Sequence, residues 1–321
     1  MNVGDQMPAS LGGVLGSVLP ILLLISLGML LRRTRVLDDT GVAGLKQVII
    51  SVSLPAVLFT TFLNTRFEPQ HLWVVLVVLT ICLGLLGLGS VFRRITGAPR
   101  YSAFLFTGFE LGMIGFALFA AVYGVAQLPA LGVLALGHEF FVWFIFVTLL
   151  RAAADQRRTA AQTARSLATS PTIIAIVLGL ALNFAGLGDA LGQGPLGTAL
   201  LATLGYLAAV IVPLVLIIVG YGSRLSWTGV REALPLVATR LLVVIPLALG
   251  VGWLVFDQVL GLAPIYRHAL FALMILPPPF IIPLFIPQDR RADLSYANNV
   301  LSLYSLASVA VFVGYVVVTT P

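Results

Sequence analysis

Leu276-Pro277-Pro278-Pro279-Phe280 sits inside an otherwise apolar run, 268–286, and the reading of those five residues decides the fold. Proline lacks the backbone donor that a helix interior needs, and its ring clashes with the preceding turn, so this stretch is not regular helix. An unwound segment at membrane depth is tolerated only where protein buries it or where it lines a cavity. The surrounding sequence must therefore supply both a bilayer-spanning scaffold and a partner for the break.

It supplies the scaffold throughout. With 60% hydrophobic and 9% charged residues and a mean hydropathy of +1.08, the chain cannot cover a water-soluble surface; a soluble domain carries roughly a quarter charged residues. A helix needs about 20 mainly apolar residues to cross the hydrocarbon. Ten segments are expected to do so: 11–31, 41–63, 72–92, 102–125, 129–150, 171–187, 196–219, 233–256, 268–286 and 294–318. Their apolar residues are continuous, whereas the strands of a membrane β-barrel alternate with a period of two, so the expected class is all-α and polytopic.

The cations give the topology. Arg32, Arg33, Arg35 and Lys46 follow span 1; Arg93, Arg94 and Arg100 follow span 3; Arg151, Arg157, Arg158 and Arg165 follow span 5. Arg224 and Arg231 follow span 7, and Arg290 and Arg291 follow span 9, while the alternate gaps hold only Arg66 and Arg267. By the positive-inside rule the odd-to-even gaps are cytoplasmic, which places both termini outside a bacterial cytoplasmic membrane. The net charge of +6 is thus a topology signal and gives nucleic acid no role. The amino terminus has Asp5 and no early cation, unlike a secretory signal, so span 1 is expected to stay in the protein. Cys82 is the only cysteine, which excludes an internal disulfide and a cysteine metal site.

The longest polar stretch, 151–170, divides the chain into a first five-span repeat (1–150), a basic cytoplasmic linker and a second five-span repeat (171–321). An odd number of spans per half starts the second half on the opposite side of the bilayer, as an inverted repeat requires. Corresponding spans carry the helix breakers. Pro55 in span 2 matches Pro213 in span 7, and Gly108, Gly112 and Gly115 in span 4 match Pro277, Pro278 and Pro279 in span 9. Broken helices from opposed repeats can offer unpaired amides and carbonyls to a midplane site. A simple kink without a ligand is the competing reading, and it suits a lone proline such as Pro246.

Ser51-Val52-Ser53-Leu54-Pro55-Ala56, Phe106-Thr107-Gly108-Phe109-Glu110-Leu111-Gly112-Met113-Ile114-Gly115-Phe116 and Asn298-Asn299-Val300-Leu301-Ser302-Leu303 together resemble the auxin efflux carrier family, which includes bacterial malonate and malate permeases. The resemblance covers nearly the whole chain. It implies a fold like those of bile-acid transporters and sodium/proton antiporters, with spans 4 and 9 crossing as broken helices. Spans 3–5 and 8–10 would form a moving core, and spans 1, 2, 6 and 7 a scaffold. Where the family motif carries Asn, this sequence has Glu110, and a carboxylate there repels an anionic substrate unless it is protonated or paired.

A charge near the bilayer centre costs at least about 2.5 kcal/mol, so each one invites a functional reading. Glu110 is the first candidate for carrying a coupling proton, against a static hydrogen bond to a neighbouring helix. Glu139 and His138 are the other candidates; being adjacent, they diverge by about 100° around span 5, so both cannot face one point. Arg240, inside span 8, reads as snorkelling to the cytoplasmic face or as pairing with a substrate anion. Asn298 and Asn299 at the start of span 10 read as ligands of a polar solute or as helix caps.

Other chemistries find no support. His138-Glu139 opens like a zinc-protease motif, but Val142 stands where its second histidine belongs, and His71 and His268 fall in outer gaps or at helix ends, so no metal site is expected. Gly186-Leu187-Gly188-Asp189 matches the short pattern of intramembrane aspartyl proteases without a second intramembrane Asp. The only lysine, Lys46, follows no phosphate-binding loop. The expectation is a non-enzyme without cofactor: a secondary transporter working by alternating access on a small organic solute, a carboxylate by the resemblance. Its expected partners are the lipid bilayer, a small organic acid, a coupling proton and a second copy of the chain in a homodimer. A sodium-coupled carrier of the bile-acid type is the near alternative, and an intramembrane protease or a membrane receptor the distant one.

Overall fold

The computed structural model describes residues 11–65, 68–153, 169–222, 227–287 and 289–319. Most of the basic linker, Arg66, Arg224 and the amino-terminal segment with Asp5 lie outside the described residues. Among the described residues the regular structure is helical, without a strand.

Among the described residues, six helices are long and apolar enough to cross a membrane: α2 (Asp39–Asn64), α3 (Gln70–Thr96), α6 (Val125–Ala153), α9 (Pro195–Gly222), α10 (Trp227–Val259) and α13 (Arg291–Thr319). Around them lie α1 (Leu11–Arg33), α4 (Ser102–Leu105), α5 (residues 111–123), α7 (Pro171–Phe184), α8 (Gly188–Leu191), α11 (Pro264–Met274) and α12 (Ile282–Phe285). The expected span 171–187 is shorter than the sequence suggests. α7 has 14 residues, about 21 Å of helix against a hydrocarbon core of about 30 Å. The chain leaves it through Gly186 at φ 68°, a left-handed conformation that ends the helix.

Local chemistry sets the other boundaries. The Asp38 side chain caps α2 by accepting a hydrogen bond from the Gly41 amide at 2.6 Å. Gly97, at φ 66°, terminates α3. Pro171, Pro195 and Pro264 open their helices, where a missing N–H costs nothing. Within α2, a π-helical turn, Ile49–Ser53, leads into Pro55. α9 loses helical geometry at Val210, three residues before Pro213. Pro235 and Pro246, by contrast, lie inside continuous helix in α10.

The core is apolar, yet large apolar side chains also cover the outside and a few polar ones are buried. Leu196, Val318 and Leu242 are 88%, 82% and 76% exposed, whereas Thr107, Arg240 and Ser308 are fully buried. Apolar side chains on the outside are what lipid as solvent selects, and the few buried polar ones invite a functional reading.

α1 packs against α9, and α2 against α7 and α9; α3 packs against α4 and α6, and α10 against α11 and α13. The α1–α9 contact is backbone to backbone. A Cβ at Gly28 would lie 2.1 Å from the Ile217 carbonyl oxygen, and one at Gly220 would lie 2.0 Å from that of Ile25. Small residues on both helices are required for so close an approach.

Candidate functional site: two unwound segments that cross

α4 stops at Leu105 and helix resumes at Leu111; α11 stops at Met274 and helix resumes at Ile282. The two irregular stretches touch. The Glu110 amide donates to the Pro277 carbonyl at 2.8 Å, and the Phe280 amide donates to Glu110 Oε2 at 2.6 Å. Gly108 makes the approach possible. It has φ 68°, and a Cβ on it would lie 2.8 Å from Cγ of Pro279. Any L-residue there is strained twice, by its own backbone and by the proline ring. Gly115 faces the same partner segment, where a Cβ would lie 2.7 Å from Leu276, and Gly112 packs under Leu54 of α2.

Unwinding among buried apolar residues leaves backbone groups that need other partners. Side chains from neighbouring helices take them. His138 of α6 accepts from the Phe109 amide through Nε2 at 2.9 Å. Arg240 of α10 donates to the Gly108 carbonyl at 2.6 Å and to the Leu105 carbonyl at 3.3 Å. Ser308 of α13 donates to the Ile275 carbonyl at 2.6 Å. Thr107, within the break, anchors it outward by donating to the Cys82 carbonyl of α3 at 2.6 Å.

His138 accepts at Nε2, so its ring proton resides on Nδ1. That nitrogen lies 3.3 Å from Glu139 Oε1, and the second Glu139 oxygen accepts from Nε1 of Trp143 at 2.8 Å. His138 is buried against the crossing, and Glu139, whose carboxylate contacts the His138 ring, is partly exposed. A second proton on His138 would end its bond to Phe109.

Beside the crossing lies a cavity of about 260 Å³, lined by Lys46 of α2, Ile114 of α5, Phe280, and Asn298, Ser302 and Ser305 of α13, with α9, Pro283 of α12 and Leu301 completing its wall. That volume is at the lower end of small-molecule pockets. Among the described residues Lys46 is its only charged lining residue, and its side chain has no ion pair or hydrogen bond.

Three sequence expectations need correction. Arg240 neither snorkels nor faces the cavity; it is fully buried with its guanidinium on backbone carbonyls. Asn298 and Asn299 cannot cap α13, which begins at Arg291, two turns earlier. Asn298 lines the cavity, whereas Asn299 packs against Gly229 of α10. Lys46, which counts only towards topology in the sequence, lines the cavity; its standing as the sole lysine was the one signal. Ser305 and Ser308 are not among the sequence candidates, and Ser302 enters only through its motif, although their three-residue spacing lays the three along one side of a helix. Among the described residues no cluster of His, Cys, Asp and Glu could hold a metal ion. His71 instead pairs with the Tyr266 hydroxyl, and His268 with that of Tyr315.

No family model matches the chain. It is 23% identical over 299 residues to a protein of Methanothermobacter thermautotrophicus named an uncharacterized transporter, across 90% of this chain and 95% of that one.

Proposed function

We propose that the chain is a secondary active transporter that moves a small organic acid by alternating access at the crossing, coupled to protons. A membrane transporter is what the apolar helices and the named relative support together. The observation that carries the mechanism is the contact of two unwound segments through Glu110, Pro277 and Phe280 beside a cavity. Discontinuous helices that offer backbone groups near the bilayer midplane are how secondary carriers build solute and ion sites.

The architecture we propose for it is ten spans in two inverted halves of five, with α4 and α5 together as span 4, α7 and α8 as span 6, and α11 and α12 as span 9. Helix packing supports this arrangement. Exchanging the halves maps the α1–α9 pair onto α7–α2, the α3–α6 pair onto α10–α13, and the α3–α4 pair onto α10–α11. These pairings also favour a scaffold of α1, α2, α7, α8 and α9 around a core of the remaining helices, as the resemblance to the auxin efflux carrier family implies.

The anionic character of the solute rests on Lys46. An ammonium unpaired among the described residues, with Asn298, Ser302 and Ser305 as neutral hydrogen-bonding groups, suits one carboxylate and a polar remainder. Lys46, Gly222 and Pro283 place the cavity towards the arginine-rich ends of the helices, which in the positive-inside orientation is the cytoplasmic face. Both termini then face outward. The deciding experiment is counterflow in proteoliposomes containing the purified protein, with a panel of dicarboxylates and indole acids. Exchange of at least one acid, absent from protein-free vesicles, is expected; exchange of none across the panel would overturn the reading.

A further inference from the structure

Arg240 is the largest fully buried side chain described, and among the described residues no carboxylate pairs with it. Its guanidinium is held by the Gly108 and Leu105 carbonyls, 2.6 and 3.3 Å away, and lies over the rings of Tyr304 and Phe109, 4.7 and 5.3 Å from their centroids. A lone cation at this depth costs several kcal/mol of desolvation. Two carbonyl oxygens and two aromatic faces are what the protein has assembled to offset it.

Those oxygens are of a particular kind. They are carbonyls released where a spanning helix unwinds, the groups to which carriers with broken helices bind Na⁺ or H⁺. Here a side chain has taken them. A sodium ion placed on the same oxygens would sit within a few ångströms of a permanent positive charge in a low-dielectric interior, which is strongly repulsive. Arginine, unlike lysine, cannot lose its proton to make room.

We propose that Arg240 is a tethered cation that permanently fills the carbonyl site of the crossing, so that the carrier works without sodium. The guanidinium fixes the shape of the 106–110 break and supplies the positive charge a mobile ion would otherwise bring. Glu110, two residues beyond Gly108 in the same segment and bonded to Phe280, is left as the group of variable charge. Arg240 is accordingly a positioning residue, and the coupling-ion choice follows from it. This inference rests on the reading of the crossing as a transport site.

The test uses the full-length protein in detergent and in proteoliposomes, with sodium compared against N-methylglucamine at equal ionic strength. The wild-type protein should show the same melting temperature and the same counterflow rate in both salts. Arg240→Ala should lose counterflow by about tenfold or more, the equivalent of one charge-assisted hydrogen bond, and free guanidinium ion should restore part of it. Arg240→Lys, which keeps the charge and loses the fork, should fall between. A sodium-specific rise in the wild-type melting temperature, or sodium-dependent wild-type counterflow, would overturn the proposal. So would wild-type counterflow by Arg240→Ala without any added cation. If that variant fails to insert, the wild-type salt comparison decides alone. Because the melting measurement needs no substrate, it still tests the cation site if no acid is exchanged and the transport reading fails.

Discussion

Glu110 Oε2 accepts a hydrogen bond from the Phe280 amide at 2.6 Å, joining residues 170 positions apart across the crossing. The same residue's amide donates to Pro277. Glu110 therefore stitches both segments together and also offers the carboxyl that we propose carries the proton, and substitutions separate these roles.

Glutamine at position 110 keeps a carbonyl oxygen for the Phe280 amide and imitates the protonated carboxyl. Glu110→Gln should retain exchange of substrate between the two faces, while proton-driven accumulation and its pH dependence disappear. Glu110→Leu leaves the buried amide unsatisfied, at about 1–3 kcal/mol, and should lower the melting temperature as well as transport. A Gln variant that concentrates substrate under a pure proton gradient at the wild-type rate would make Glu110 structural and move the search to Glu139 and His138.

Gly108→Ala tests the crossing itself. The left-handed backbone alone costs about 1–2 kcal/mol, and the new methyl would meet Pro279. Loss of counterflow with retained membrane insertion is expected, as it is for replacing Pro277, Pro278 and Pro279 together by Ala. Normal rates in the triple variant would reduce the proline run to a kink.

Lys46→Gln removes the cavity's only charge among the described residues. Since the side chain is exposed to solvent, screening limits the effect, and a rise of about three- to tenfold in KM for a carboxylate substrate is expected. The matching methyl ester or amide, if transported, should be unaffected. Equal effects on charged and neutral analogues would remove Lys46 from substrate recognition.

Topology is read by cysteine accessibility in a Cys82→Ser background. The Cys82 carbonyl, not its thiol, anchors Thr107, so that substitution spares the crossing. A cysteine at Gln127 should react with impermeant maleimide in intact cells, and one at Gln162 should not. The reverse pattern would overturn the orientation with both termini outside, and equal labelling of the two positions would overturn the inverted-repeat arrangement.

Much of this protein could be read one segment at a time. Continuous apolar runs mark helices in lipid because the hydrogen-bonding requirement is satisfied within each segment. Proline at 277–279 announces its own break, because a missing donor is a property of the residue wherever it lies. Boundaries were less legible: α7 ends early because Gly186 turns left-handed, which a hydropathy window does not register.

The amino-acid sequence by itself determined the solvent, the helical class, the alternation of cations and where the chain must unwind. Only the tertiary structure decided what meets the unwound backbone. Arg240 reaches Gly108 over 132 positions and Phe280 reaches Glu110 over 170. A cation read alone has snorkelling as its cheapest outcome; beside two released carbonyls and two aromatic faces, burial competes. Lys46 likewise looks like one more cytoplasmic charge until α9 and α13 close a cavity around it. Local sequence fixes which backbone groups lack partners, but pairing them inside a membrane depends on groups brought close by the packing of distant helices, and no local pattern encodes that proximity.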